Sequence, residues 1–185
     1  DKGSIHILGN DITHLKDGAL NEVRKNIGFL FQSAALYDSM TVNENLKFPL
    51  RDIKDKSTTE IDTLVKESLE SVGLPDAGNL MPSELSGGMR KRIGLARTMI
   101  LKPELMLYDE PTTGLDPITS KEISKLILEV QKKLQTTSII ITHDIECARI
   151  TANRMIIIKD GVCAAEGTYK ELEQSEDEWV RSFFE

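Results

Sequence analysis

Leu85-Ser86-Gly87-Gly88-Met89 opens a basic, apolar-periodic stretch, and Leu105-Met106-Leu107-Tyr108-Asp109-Glu110 sets Asp109 23 residues beyond Ser86. A third piece, Ile139-Ile140-Ile141-Thr142-His143, sets a histidine 33 residues beyond Glu110. Each piece has its own physical reading. Two glycines let the backbone approach a ligand closely, and a helix starting there offers free N–H groups and the positive end of its dipole. Alone, Ser-Gly-Gly is equally a glycine-rich turn with Ser86 as a helix cap. Asp109 and Glu110 end an apolar run of strand type, and α/β sheets bind ligands at the carboxyl ends of their strands. Alone, that pair is an ordinary acidic turn. Triphosphate hydrolysis, however, needs one group to hold Mg²⁺ and another to orient the attacking water. Asp109 suits the first task and Glu110 the second. His143, at another strand end, is a hydrogen-bonding group suited to a site of changing charge, although a lone histidine there is more often structural.

Outward from these pieces, the pattern predicts strands alternating with helices, which is an α/β fold. A helix over 88–101 puts Met89, Ile93, Ala96 and Ile100 on one side and is closed by Pro103. Its basic residues Arg90, Lys91, Arg92 and Arg97, with Lys102 just beyond, read mostly as a solvated face. Upstream, Ser57 and Glu60 have the spacing of a capping box before a helix over 57–72, which Gly73 stops. Thr41 and Asn43 are candidate caps for a helix over 44–48, ended by Pro49. The N-terminal part reads as a strand over 4–8, a polar turn region over 10–17, a helix over 17–25 and a strand over 27–31. Downstream, a helix over 119–134 follows. The apolar runs 105–108, 138–142 and 155–158 do not alternate, as expected for parallel strands covered on both faces. Asp160-Gly161 is a hairpin-turn pair leading into 162–166, and two short helices near 169–172 and 177–184 finish the pattern. The expected organisation is a strand-and-helix core over 1–33 and 102–185, interrupted by a helical lobe over 34–101.

The chain's 185 residues suit one domain with a small lobe. A net charge of −7 argues against a nucleic-acid partner, whose binding domains carry a basic footprint. Cys147 and Cys163 form no C-x-x-C pair, which suggests a reducing compartment and two packing thiols. No apolar run approaches the roughly 18 residues of a spanning helix, so any membrane association is expected to come through a partner.

Taken together, the pieces resemble the nucleotide-binding domain of an ABC transporter. The Leu85–Met89 motif is similar to the signature loop, with Met89 where the family most often has Gln. Leu105 to Glu110 is similar to the Walker B strand with its catalytic glutamate, and His143 to the switch histidine. Gln32 matches the Q-loop glutamine, and Gly114-Leu115-Asp116 the D-loop. The resemblance implies an ABC-type ATPase on a P-loop NTPase (RecA-like) fold with a helical subdomain. It implies ATP and Mg²⁺ as cofactors, with Asp109 and Gln32 toward the metal and Glu110, His143 and Gln32 in catalysis. Ser86, Gly87 and Gly88 would act in trans, on ATP held by a second ATP-binding subunit of a homodimer, and Asp116 would lie at the interface. No G-x-x-x-x-G-K-[ST] phosphate loop occurs in the sequence. Asp1-Lys2-Gly3-Ser4-Ile5 resembles the segment just after the family's phosphate-loop helix. The expectation is therefore an N-terminal truncation that removes early strands and the phosphate loop, and weak ATP binding by residues 1–185 alone.

Within the family, Leu30-Phe31-Gln32-Ser33-Ala34-Ala35-Leu36, Met40-Thr41-Val42, Phe48-Pro49-Leu50-Arg51, Leu80-Met81-Pro82-Ser83-Glu84, Asp116-Pro117-Ile118-Thr119 and Trp179-Val180-Arg181-Ser182-Phe183-Phe184 resemble the Mla-type (MCE-associated, toluene-resistance) phospholipid transport ATPases. That resemblance implies integral-membrane permease subunits, an MCE-type substrate-binding component and a place at the cytoplasmic face of a bacterial inner membrane. Residues 34–42 would form part of a groove that receives the permease. The alternatives are a methionine-type amino-acid importer and a non-catalytic ABC-like regulatory subunit. Intact Asp109, Glu110 and His143 disfavour the latter. Only 53 residues separate Gln32 from Ser86, which excludes the long coiled coils of the chromosome-maintenance relatives. The two-domain translation-factor relatives are disfavoured by the lipid-transporter motifs.

Overall fold

The computed structural model describes residues 2–51, 53 and 55–185. Asp1, in the segment read as following a phosphate-loop helix, lies outside them. The elements run β1 (His6–Ile7), β2 (Asn10–Asp11), α1 (Asp17–Arg24), β3 (Ile27–Leu30), α2 (Val42–Lys47), α3 (Thr58–Ser71), α4 (Gly87–Met99), β4 (Leu105–Asp109), α5 (Pro117–Leu134), β5 (Thr137–Ile141), α6 (Ile145–Thr151), β6 (Met155–Lys159), β7 (Val162–Gly167), α7 (Tyr169–Glu173) and α8 (Glu178–Arg181). The class is α/β, as expected.

The element that positions the site is a three-stranded parallel sheet in the order β3-β4-β5. Its register aligns Leu30 with Tyr108 and Asp109 with Ile141, so the three carboxyl ends share one edge. Alternation sends Leu30, Met106 and Tyr108 into the main core, where they meet Ile93, Leu95, Ile123 and Ile127 from α4 and α5. Helix α4 lies very close to β3. A Cβ on Gly28 would stand 2.6 Å from Met106 Sδ and 2.7 Å from Thr98 Cγ2.

The opposite face of the sheet departs from expectation. Phe29, Phe31, Ile139 and Ile141 are 42–62% exposed, so among the described residues the sheet is covered on one face only. The run 155–158 also departs. As β6 it pairs antiparallel with β7 rather than joining the parallel sheet. That hairpin is the one expected at Asp160-Gly161: Asp160 at φ 50° and Gly161 at φ 79° form a tight two-residue turn that returns the chain antiparallel, so the edge partner of β6 comes from the next strand in sequence. A small second core of Ile157, Leu172 and Val180 forms beneath this hairpin.

Several helix ends follow the sequence closely. Ser57 and Glu60 close a reciprocal capping box on α3, and Gly73 leaves it at φ 72°. Thr41 with Glu44 does the same for α2. Asn43, the other candidate cap, lies inside α2, and Pro49 starts a short 3₁₀ turn over Phe48–Leu50 rather than stopping the chain. Helix α5 begins two residues earlier than expected because Asp116 caps it and Pro117 takes its first position. Near the N-terminus, Asn10–Asp11 is a strand rather than part of a polar turn, since Leu8 and Gly9 make the turn at φ 50° and 78°. Cys147 is buried as expected, whereas Cys163 is exposed. No helix among the described residues is long and apolar enough to cross a membrane.

Candidate active site

Gln32, Glu110 and His143 each stand one or two residues past the end of a strand, on β3, β4 and β5 respectively. Because these strands are parallel neighbours, residues 33 to 111 apart in sequence arrive at one sheet edge. Glu110 continues the ladder by one bond, its N–H donating to the Ile141 carbonyl at 2.9 Å. It then turns the chain at φ 46°, a left-handed conformation that costs a non-glycine residue about 1–2 kcal/mol. That turn aims its side chain across the sheet edge toward β5.

Both oxygens of the Glu110 carboxylate are used. Oε1 accepts from the His143 main-chain N–H at 3.2 Å and lies 2.9 Å from His143 Nδ1. Oε2 accepts from the hydroxyls of Thr113 at 3.0 Å and Thr142 at 3.3 Å. Burial pushes the carboxyl upward, but the hydrogen bonds from His143, Thr113 and Thr142 and the charge of His143 outweigh it, so the pKa lies below the usual range. His143 moves the opposite way, its pKa raised by the hydrogen bond and charge of Glu110. An ionised, aimed carboxylate can accept a proton or orient water. With Nδ1 engaged by Glu110, Nε2 is the other imidazole nitrogen, turned away from that contact.

Asp109 ends β4 half-buried, and no described residue hydrogen-bonds to its carboxylate. Beside it, no group of three or more acidic, histidine or cysteine side chains forms a cage among the described residues. A single carboxylate such as that of Asp109 is a donor of the kind Mg²⁺ takes, the ion commonly being bound through one or two carboxylates with substrate phosphates and water completing the shell.

Ser86 caps α4, its hydroxyl accepting from the Met89 N–H at 3.3 Å. Gly87 and Gly88 form the first turn and pack on the start of α5. A Cβ on Gly88 would stand 2.7 Å from Thr119 Cγ2, and one on Gly87 would stand 3.2 Å from Leu115. Asp116 also spends its carboxylate locally. It accepts from the amides of Ile118 and Thr119 and from the Thr119 hydroxyl, and those bonds hold its pKa low. The structure thus brings Gln32, Glu110 and His143 to one edge and the 86–88 loop against residues 115–119. Among the described residues no hydrogen bond joins the serine–glycine loop to Glu110 or His143.

Lys91 departs from the solvated face expected of it. It is buried rather than solvated, and its Nζ donates to the main-chain carbonyls of Gln32 at 2.6 Å and Glu110 at 3.0 Å. Arg97, also read as solvated, donates to the Ala34 carbonyl at 3.0 Å. Arg92 donates to the Val72 carbonyl and pairs with Glu122. The available signal was periodicity: Lys91 stands three residues after buried Gly88 and four before buried Leu95, on the inward face of α4. Thr142 and Asp144 were missed too. Thr142 supports both Glu110 and the Asp144 amide, and Asp144 caps α6 while accepting from the Thr112 hydroxyl at 2.8 Å.

Residues 1–113 match the ABC transporter family. The intermembrane phospholipid transport system ATP-binding protein MlaF of Haemophilus influenzae is 43% identical over 99% of this chain and 69% of its own length. MlaF of Escherichia coli K12 is 38% identical over 100% of this chain and 69% of its own. A probable ribonucleotide transport ATP-binding protein, mkl, of Mycobacterium tuberculosis H37Rv is 39% identical over 99% of this chain and 51% of its own. Among solved structures, the dimeric post-hydrolysis state of the ATP-binding cassette MJ0796, bound to ADP and Pi, aligns at a TM-score of 0.80. It is 31% identical, and the alignment covers 91% of this chain and 74% of that one. The chain belongs to the ABC transporter family and carries an ABC-type ATPase domain of P-loop NTPase fold.

Proposed function

We propose that this chain is the ATP-hydrolysing part of a transporter that moves phospholipid between or across bacterial envelope membranes, working at the cytoplasmic face of the inner membrane. The observation that carries the hydrolytic reading is Glu110, an ionised carboxylate held at the shared carboxyl edge of three parallel strands by His143, Thr113 and Thr142. In this reading residues 1–33 and 102–185 act as the core and 34–101 as the signature-bearing lobe. Glu110 accepts the proton of the water that attacks the γ-phosphorus. The bond from that phosphorus to the oxygen of the leaving ADP breaks, and ADP and phosphate result. His143 Nε2 meets the γ-phosphate, so loss of phosphate is felt at the same histidine that holds Glu110. Asp109 and Gln32 would hold Mg²⁺, which neutralises charge on the triphosphate when bound.

Ser86, Gly87 and Gly88 serve the nucleotide of a second copy, and Asp116 lies where the copies meet. A dimeric neighbour structure supports that arrangement. Permease subunits and an MCE-type component complete the assembly. The lipid substrate is supported by the MlaF relatives. The mkl relative supports a second reading, in which a ribonucleotide is moved by the same ATPase chemistry. Reconstituted vesicles separate the two: labelled phospholipid exchange that depends on ATP and on Glu110 is expected. ATP-dependent uptake of ribonucleotide, or of an amino acid, with no lipid movement would select another cargo.

A further inference from the structure

Helix α4 grips the loop after β3 with residues spaced three apart, which places them along one face. Lys91, 5% exposed, donates to the Gln32 carbonyl at 2.6 Å and the Glu110 carbonyl at 3.0 Å. One turn on, Gly94 leaves no room for a side chain: a Cβ there would stand 2.7 Å from Ala34 Cβ and 3.0 Å from Leu30 Cδ1. A further turn on, Arg97 donates to the Ala34 carbonyl at 3.0 Å. The gripped backbone is irregular. Ala34, Ala35 and Glu110 all lie at positive φ, at 62°, 47° and 46°. Non-glycine residues persist there only when their surroundings over-determine the conformation.

A buried ammonium is costly unless its donors are met. Burial pushes the Lys91 pKa down, while the Glu110 and Asp109 carboxylates oppose that shift. An apolar residue would fill the same space without that cost. What lysine adds is a donor shared between two loops that are 78 residues apart in sequence and carry the proposed hydrolytic groups.

We infer that Lys91 is a positioning residue for ATP hydrolysis. Its ammonium ties the Gln32 and Glu110 main chains to the helix that begins at the serine–glycine loop. The helix proposed to serve one nucleotide and the two groups proposed to serve the other thus share one anchor. The inference rests on the reading of Glu110 and Gln32 as hydrolytic groups.

The test is Lys91→Met, which keeps length and loses the donor, measured in the assembled transporter. Turnover is expected to fall on the order of 10²-fold, the scale of a misplacement of about 1 Å. KM for ATP should hold, and so should ATP-trapped dimerisation in a Glu110→Gln background. Amide exchange should quicken in residues 31–35 and 110–113 but not in α5. Lys91→Arg, which restores a cation able to reach both carbonyls, should recover much of the turnover. Unchanged turnover in Lys91→Met overturns the inference. So does a loss matched by equal weakening of ATP binding and a general rise in exchange, the mark of a merely structural residue. If the methionine variant does not fold, Lys91→Gln, which can serve one carbonyl, is read by the same criteria. Full turnover in Glu110→Gln would instead retire the reading of Glu110, and amide exchange would still judge the Lys91 tie.

Discussion

Glu110 ends its strand with both carboxylate oxygens taken, by His143 on one side and by Thr113 and Thr142 on the other. Ser86 begins α4 with one side-chain contact, its hydroxyl accepting from the Met89 N–H. The difference follows from what each group must do. A half-buried carboxylate must be held ionised and aimed, and its own chain can supply the donors. The first amides of a helix have no intrahelical partner and become useful only when an anion reaches them. One region is furnished from within the chain. The other, in the proposed dimer, meets the phosphate of the second copy's nucleotide.

The comparison breaks most visibly at Glu110. Glu110→Gln keeps the shape and loses the charge, so phosphate release should fall by about 10²–10⁴-fold, the range of a positioned acid–base group. ATP binding should persist. Turnover within about threefold of wild type, far below that range, would deny the carboxylate its role.

A smaller effect sharpens the other region. A Cβ at Gly88 would stand 2.7 Å from Thr119 Cγ2, so Gly88→Ala overpacks the α4–α5 junction, at a cost of about 1–3 kcal/mol. Thr119→Ser removes that methyl and keeps the hydroxyl that binds Asp116. Thermal unfolding should show Gly88→Ala lowering the midpoint and the double substitution recovering most of the loss. Equal midpoints for the wild type and Gly88→Ala would mean that this junction is looser than described.

The smallest effect is a titration. Glu110 lies below its usual pKa and His143 above its own. The contribution from Glu110 is present above the unfolded carboxylate pKa and is lost as pH falls through the lower folded value. That from His143 is present below the unfolded imidazole pKa and is lost as pH rises through the higher folded value. The pair therefore acts between those two folded-state values. NMR titration should find His143 above the ordinary histidine pKa, returning toward it in Glu110→Gln. A His143 titration indifferent to that substitution would dissolve the pair.

Local signals carried much of this molecule. The Ser57–Glu60 capping box, the Asp160-Gly161 turn and the apolar runs of β4 and β5 were readable because each depends on neighbours a few residues away. The antiparallel pairing of β6 with β7 was readable from that same turn, since a two-residue connection permits no parallel crossover. What the apolar run of β6 imitated was a strand of the parallel sheet, a place it does not take. Charge counted along a helix points to a solvated Lys91, because it cannot see partners 59 and 19 residues distant. Gln32 and His143 are unremarkable singly. Only the β3-β4-β5 order, a tertiary fact, sets them beside Glu110.

In the proposed dimer the strand-end cluster of one copy works with the serine–glycine loop of the other. Mixed dimers test it directly in the assembled transporter. Ser86→Glu puts a carboxylate at the exposed cap, where it would repel phosphate, and Glu110→Gln disables the strand-end cluster. Each parent dimer should be nearly inactive. A mixed dimer of the two would contain one site with intact Glu110 from one copy and intact Ser86 from the other. Its turnover should rise well above that of both parents. If each copy hydrolysed ATP with its own serine–glycine loop, every site would carry a lesion, and a mixed dimer as inactive as its parents would contradict the account.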